Sequence, residues 1–285
     1  MTKEITLESA PDLRRIYATA ALRRGSSSDT LPDVRVSRAG IRVDLDQLVA
    51  YSHVCRFPVD GILPATYPHL VAFPLQMSVM SGDRFPLPLM GAVHVENRIE
   101  VRRPIGTDEV LDVSVWAQDL RPHRRGRQVD LLSEVSVRGE VVWTGVSTYL
   151  SRSREHPEAP VSEPPSVGPL GSGGGGPVWR LGEGTGRAYA AVSGDWNPIH
   201  VHALTARPLG FPSAIAHGMY TYARTLSSLG PRLPGAGLTS RVWFRKPVRL
   251  PSTVRLRSVF EVGRTLSALE GARGEVEHAV VENTW

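Results

Sequence analysis

Asp195, Asn197 and His200 stand within one short stretch, SGDWNPIH, residues 193–200. A carboxylate and an imidazole this close can act as an acid–base pair, because histidine titrates near neutrality and a neighbouring carboxylate moves that titration. One such pair can serve both proton transfers in the addition or elimination of water. Gly194 frees the backbone ahead of Asp195, while Pro198 disfavours a helical Asn197 and removes a donor. The stretch therefore reads as a bend that can aim both side chains at one point. Its structural alternative is an Asp-x-Asn-Pro turn bonded to its own backbone, with a histidine that caps the next helix. The pair also needs a group to hold the negative oxygen that develops during reaction. Gly218, in AIAHGMYTY, reads as lying at or near a helix start, where backbone N–H groups point outward and a residue without a side chain lets a carbonyl approach.

Other chemistries fit less well. His200, His202 and His217 raise the question of a metal, but there is no His-Glu-x-x-His and no cysteine pair, so no metal is expected. His202 reads as a surface or helix-start residue and His217 as a support beside the site. Ser147 and Ser193 do not sit in Gly-x-Ser-x-Gly, which argues against a serine hydrolase. The glycine run ending at Gly176 has no Gly-Lys-Ser/Thr after it and no strand before it, which argues against a phosphate-cradling loop.

The elements that must position these residues form two similar sets. RIEVRRPI (98–105) echoes RVWFRKPV (241–248), each after a Gly-containing loop and before a turn and an alternating strand. In TVRLRSVF, Val254, Leu256 and Phe260 fall on one face and Arg255 and Arg257 on the other, as in a half-buried strand. VLDVSVWA, RQVDLLSEVSV and EVVWTGVSTYL are the first-half strand candidates. Ahead of each echo lies a helical segment. In the second half it is SAIAHGMYTYARTLSSLG, with Ile215, Met219, Tyr222 and Leu226 spaced by three and four and a stop at Gly230-Pro231. In the first half it is HLVAFPLQMSVMSG, ending at Gly82. Each half thus predicts an α+β layer: loop, helix, then about four antiparallel strands. The stretch 155–176, rich in Pro, Gly and Ser, reads as a linker. It divides the chain into 1–154, the linker, and 177–285.

The chain carries one cysteine, Cys55, so no internal disulfide can form and a reducing compartment is expected. The N-terminus does not read as a signal peptide, and no run of about 18 apolar residues exists to span a membrane. The expected setting is cytoplasmic. The net charge of +5 comes almost wholly from arginine and favours a phosphate-bearing or acidic partner. No nucleic-acid-binding signature accompanies it, so neither nucleic acid nor membrane is an expected partner. RPHRRGR (121–127) reads as a basic hairpin tip. It is either a solvated loop or a docking patch for coenzyme A phosphates or an acidic carrier protein. Arg102, Arg103, Arg245 and Lys246 are alternatives for that role.

The segment from Tyr189 to Ala223 resembles the hydratase-2 motif of the MaoC-like (R)-specific enoyl-thioester hydratases and dehydratases, with both Gly-Asp-x-Asn-Pro-x-His and Ala-His-Gly-Met in place. LPATYPHLVAFPLQMSVMSGDRFPLPLMGAVHVENRI resembles the N-terminal part of actinobacterial double-hotdog members. With the repeat, the resemblance covers nearly the whole chain. It implies a double hotdog, two central helices each wrapped by a curved antiparallel sheet. It implies that Asp195 and His200 hold the catalytic water and exchange protons, that Asn197 orients them, and that the Gly218 amide binds the thioester oxygen. Ser193, His217, Arg245 and Lys246 are the expected substrate-binding residues. The implied reaction is reversible dehydration of (3R)-hydroxyacyl thioesters of coenzyme A or acyl-carrier protein, with no cofactor. His200 is favoured as base and Asp195 as acid, the reverse assignment staying open. The first half lacks the Asp/His motif and carries Phe73-Pro74-Leu75 where the second has His-Gly, so a silent first half is expected. A hotdog thioesterase, or a non-catalytic acyl-binding partner subunit, is the alternative. The chain is expected to act as a monomeric pseudo-dimer or a homodimer.

Overall fold

The computed structural model describes residues 2–20, 28–168 and 176–285. Most of the glycine run in the expected linker lies outside the described residues. In chain order the elements are β1 (Lys3–Thr6), α1 (Leu13–Ala20), β2 (Val34–Arg42), α2 (Leu45–Cys55), α3 (Tyr67–Met80), β3 (Val93–Val101), β4 (Val110–His123), β5 (Gly126–Val137) and β6 (Glu140–Arg152). There follow β7 (Val178–Leu181), α4 (Thr185–Ser193), α5 (Pro198–Val201), α6 (Ala203–Ala206), α7 (Gly218–Leu229), β8 (Leu238–Phe244), β9 (Ser252–Glu261), β10 (Arg264–Gly271) and β11 (Glu277–Thr284). No described helix is long and apolar enough to cross a membrane.

Two units result: Met1–Leu45 with Gly61–Ser162, and Asp46–Asp60 with Glu163–Trp285. A division by sequence order alone therefore differs in two ways. The boundary falls inside the Pro-rich stretch, whose Val167 is buried with Trp243, Leu266, Ala268 and Val280 of the second unit. The segment Asp46–Asp60, which lies far ahead of that stretch in sequence, also belongs to the second unit. The reason is packing: Tyr51 of α2 is fully buried and its ring lies 6.3 Å from that of Tyr189 in α4.

In the first unit the strand order is β1-β2-β4-β5-β6-β3, antiparallel except for the β1–β2 pair. The strands form because apolar residues alternate with polar ones. In β5, Val129, Leu131, Val135 and Val137 are buried while Asp130, Glu134 and Ser136 are only partly so. Helix α3 packs on β4, β2 and β5 and is buried around most of its girth. Its polar Gln76 is accommodated by donating to Ser133 Oγ (2.9 Å) and Ser147 Oγ (3.2 Å), which ties the helix to the sheet. Val71, Pro74 and Ser78 form its one less buried stripe, at spacings of three and four. Pro74 is thus in mid-helix, not at the helix start where the Phe73-Pro74-Leu75 reading put it. The first turn of α3 is Tyr67-Pro68-His69, so Pro68 is the proline that removes a donor there.

The second unit has the strand order β8-β11-β10-β9-β7, all antiparallel. Helix α7 buries Met219, Tyr222 and Leu226 as its spacing requires, and Tyr222 donates to Ser240 Oγ of β8 at 2.6 Å. Ile215 is not in this helix. Residues 214–216 are extended and bonded to the 248–250 segment, with Ala216 N–H on Val248 O and Leu250 N–H on Ala214 O, and the helix begins only after those bonds end. Phe260 departs from the buried face of β9. It lies near the strand end, 49% exposed, under the Arg232 guanidinium.

Candidate active site

Helix α4 ends at Ser193 because Gly194 takes a left-handed conformation, φ 76°. The chain then folds back through side-chain-to-backbone bonds. Ser193 Oγ donates to Tyr189 O (2.8 Å) and accepts from Asp195 N–H (3.2 Å). Asp195 Oδ1 accepts from Asn197 N–H (3.2 Å). Asn197 Oδ1 in turn accepts from Ile199 N–H (3.3 Å), capping the short helix α5 that carries His200. The bend read from SGDWNP is therefore a chain of local bonds, and the turn and the functional pair are the same object. Gly186 of α4 sits against this helix so closely that an added Cβ would lie 1.9 Å from His200 O.

His200 is buried and its Nδ1 lies 2.8 Å from Ile215 O. A carbonyl oxygen only accepts, so Nδ1 carries the proton and Nε2 keeps its lone pair. Burial lowers the His200 pKa, opposed by the Asp195 carboxylate and by the Ile215 carbonyl. The extended segment 214–216, which is where the helical reading failed, is what presents that carbonyl. The Asp195 side chain keeps 23% of its surface exposed, giving the pair an open side.

His217 packs against both. Its Nε2 donates to Asp195 O (2.9 Å) and lies 3.8 Å from Asp195 Oδ2. Its ring stacks on His200 with centroids 3.7 Å apart and 26° between planes. Burial, with His200 adding to it and Asp195 opposing, pushes the His217 imidazole down to about 3. Next in sequence, Gly218 is the first residue of α7, so its N–H has no carbonyl one turn earlier in the helix. A Cβ at 218 would come within 2.9 Å of the Phe244 ring, so a side chain there would have to displace that ring.

Residues 153–282 match the MaoC like domain. The 3-hydroxyacyl-thioester dehydratase X of Mycobacterium tuberculosis is 39% identical over 243 residues, covering 84% of this chain and 85% of that protein. The chain belongs to the MaoC-like dehydratase family. The crystal structure of HtdX from the same organism superposes with a TM-score of 0.77 at 34% identity, over 87% of this chain and 98% of that one. A MaoC-like dehydratase from Phytophthora capsici shares the fold at 16% identity, with a TM-score of 0.71 over 88% of this chain and 94% of that one. The two helix-on-sheet units are therefore a double hotdog, as the sequence predicts.

Within this MaoC-like dehydratase the expected site residues separate into two groups. Asp195, Asn197, His200, His217 and Gly218 come together. Ser193 lies beside them, buried, and its hydroxyl donates to Tyr189 O and accepts from Asp195 N–H, so it braces Asp195. Arg245 and Lys246 follow β8 on the surface, and Arg245 is paired with Glu277 (3.3 Å) and Glu163 (3.5 Å). Arg103 is likewise held, by Glu109 at 2.9 Å. At the basic hairpin, Arg121 pairs with Asp119 and Asp130, and Arg127 with Asp29. His202 is exposed and caps α6 through Leu204 N–H.

Asp195, His200 and His217 place their ligand atoms within 4.8 Å of one another. As a metal site this set is poor: Nε2 of His217 carries the proton given to Asp195 O, and two stacked rings direct their in-plane lone pairs side by side, not at one ion. Sequence reasoning missed Gly186 and the crossing helix α2, whose Gln47 Nε2 donates to Val192 O at 2.9 Å. Gly186 within a helical run was a signal, since glycine there weakens a helix unless something must approach closely. Gln47 offered none.

Proposed function

We propose that this chain catalyses the reversible (R)-specific dehydration of 3-hydroxyacyl thioesters to trans-2-enoyl thioesters, the substrate being carried on coenzyme A or acyl-carrier protein. The observation that carries the reading is the 2.8 Å contact between His200 Nδ1 and Ile215 O, from which the tautomer follows. With its Nδ1–H on Ile215 O, this buried imidazole has a bare Nε2 beside the half-open Asp195 carboxyl group.

The pair works with one proton between its two members. In dehydration, His200 Nε2 removes a proton from the α carbon, which the thioester has acidified. The C–H electrons form the new α,β double bond as the C3–O bond breaks, and protonated Asp195 gives its proton to the departing hydroxyl, releasing water. His200 is left protonated and Asp195 ionised, the state from which hydration runs in reverse. The Gly218 N–H, at the positive end of α7, meets the charge that grows on the thioester oxygen. Acid–base assistance contributes on the order of 10²–10⁴ in rate, and the oxyanion donor roughly 10²–10³. The mycobacterial relative is a 3-hydroxyacyl-thioester dehydratase, and the (R)-specific enoyl-CoA hydratase of Rhodospirillum rubrum is 39% identical over 69 residues, 23% of this chain and 48% of that protein.

The reading assigns one active site per chain, in the second unit, with the first unit silent and the chain acting as a pseudo-dimer or a homodimer in a reducing cytoplasm. Hydration of crotonyl-coenzyme A and of a longer trans-2-enoyl-coenzyme A, followed by loss of enoyl absorbance, tests it. Wild type should react at one of the two lengths, and Asp195→Asn and His200→Ala should each lower kcat by at least about a hundredfold. A folded wild type that hydrates neither these nor the enoyl-acyl-carrier protein would exclude the reading.

A further inference from the structure

His217 touches the support of every group assigned to the chemistry. Its Nε2–H holds the backbone of Asp195 at 2.9 Å, its ring lies flat on His200 at 3.7 Å, and it is the residue that precedes Gly218 at the head of α7. Its own carbonyl accepts from Thr221 N–H (3.2 Å), closing the first turn of that helix. Tyr189 of α4, whose carbonyl anchors Ser193, packs its ring 4.9 Å from the imidazole. With only 2% of its surface exposed, His217 has no access to bulk solvent.

Its Nδ1 is buried with no hydrogen-bond partner among the described residues. An orphaned buried acceptor is destabilising, and a leucine would fill the same space without it. The histidine is therefore explained by its other nitrogen and by its flat face. We propose that His217 is a positioning residue, a neutral donor and stacking partner that locks the Asp195 bend, the His200 ring and the first turn of α7 into one arrangement. It neither receives nor passes a proton in the reaction. The imidazole, pushed down to about 3, stays uncharged through the cycle, which keeps a second positive charge away from His200 when His200 is protonated. This rests on the dehydratase reading, and the following experiment separates the two.

Wild type, His217→Gln, His217→Phe and His217→Asn are compared for kcat and KM with enoyl-coenzyme A, and the imidazole nitrogens of uniformly labelled wild type are read by NMR near neutral pH. Glutamine can place an N–H where Nε2 stands, phenylalanine keeps the stacking but donates nothing, and asparagine donates but is too short to reach Asp195 O. The expected result is a fall in kcat of about a hundredfold for Phe and Asn with KM little changed, because Å-scale misplacement of reacting groups acts on the chemical step. Glutamine should restore kcat to within about tenfold of wild type. The NMR signals should show His217 with Nε2 protonated and Nδ1 bare. Should the Phe variant not fold, the Asn and Gln pair decides. Wild-type kcat in the Phe or Asn variant, a Gln variant no better than Asn, or a His217 protonated at Nδ1 would overturn the inference. An inactive wild type with the expected His217 tautomer would instead count against the dehydratase reading.

Discussion

Gly186 and His200 are fourteen positions apart, yet the backbone of one forms the seat of the other. An added methyl would meet His200 O at 1.9 Å, and that oxygen belongs to backbone that cannot rotate away. Gly186→Ala should therefore push α5 off α4, cost roughly 1–3 kcal/mol in stability and lower kcat by about a hundredfold. A thermal melt paired with the hydration assay checks both, and an alanine variant with unchanged kcat would show that His200 is not seated there. The two buried histidines also set an acid limit on the fold. Both take up protons less readily folded than unfolded, so the unfolded chain binds more protons as the pH drops below about 6.5, and stability must fall. For His217 the window runs from about 6.5 to about 3, with a slope of up to about 1.4 kcal/mol per pH unit. Urea unfolding between neutral pH and mild acid should show that loss, and a flat stability curve would contradict the burial of these rings. At this scale the sequence was most legible. Asp195 and Asn197 carry their geometry in local bonds, and Ser193 reaches Tyr189 O only four positions back, whereas the His200 ring is held by Ile215 O, a partner fifteen positions away that no spacing rule marks.

Among the elements, the strands were readable because period-two patterning is a local property, which β5 follows from Val129 to its end and β9 from Val254 to Arg257. The start of α7 was not. Ile215 has helical spacing to Met219, but the backbone of 214–216 is claimed by bonds to 248–250, a tertiary partner that outweighs propensity. Pro74 misled in the opposite sense, since a proline on the less buried stripe of α3 is carried within the helix. Helix α2 illustrates the largest gap. It lies in the first half of the chain, yet Gln47 satisfies the carbonyl of Val192 in the last turn of α4, directly before the bend that carries Asp195. Gln47→Leu should lower stability by about 1 kcal/mol and reduce kcat more than it raises KM, because Asp195 loses one of its anchors. Equal loss in both parameters, or none, would assign α2 a purely covering role.

For the molecule as a whole, the repeated Arg-Arg-Pro and Arg-Lys-Pro strand ends announced two copies of one layer, and the double hotdog follows. The exchange of Asp46–Asp60 into the second unit was hidden, because unit membership is set by which surfaces bury Tyr51 and Cys55 and not by order along the chain. That burial also removes Cys55 from chemistry, its thiol being pushed up to about 12. We propose that one Asp/His pair in the second unit adds water across the double bond of an enoyl thioester. Hydration of a trans-2-enoyl-coenzyme A in heavy water, with the product analysed for configuration at C3 and for deuterium at C2, tests it most directly. The expected product is the (3R)-hydroxyacyl thioester with a single deuterium at C2 and the thioester bond intact. Release of free thiol, a (3S) or racemic product, or a product without deuterium at C2 would contradict it.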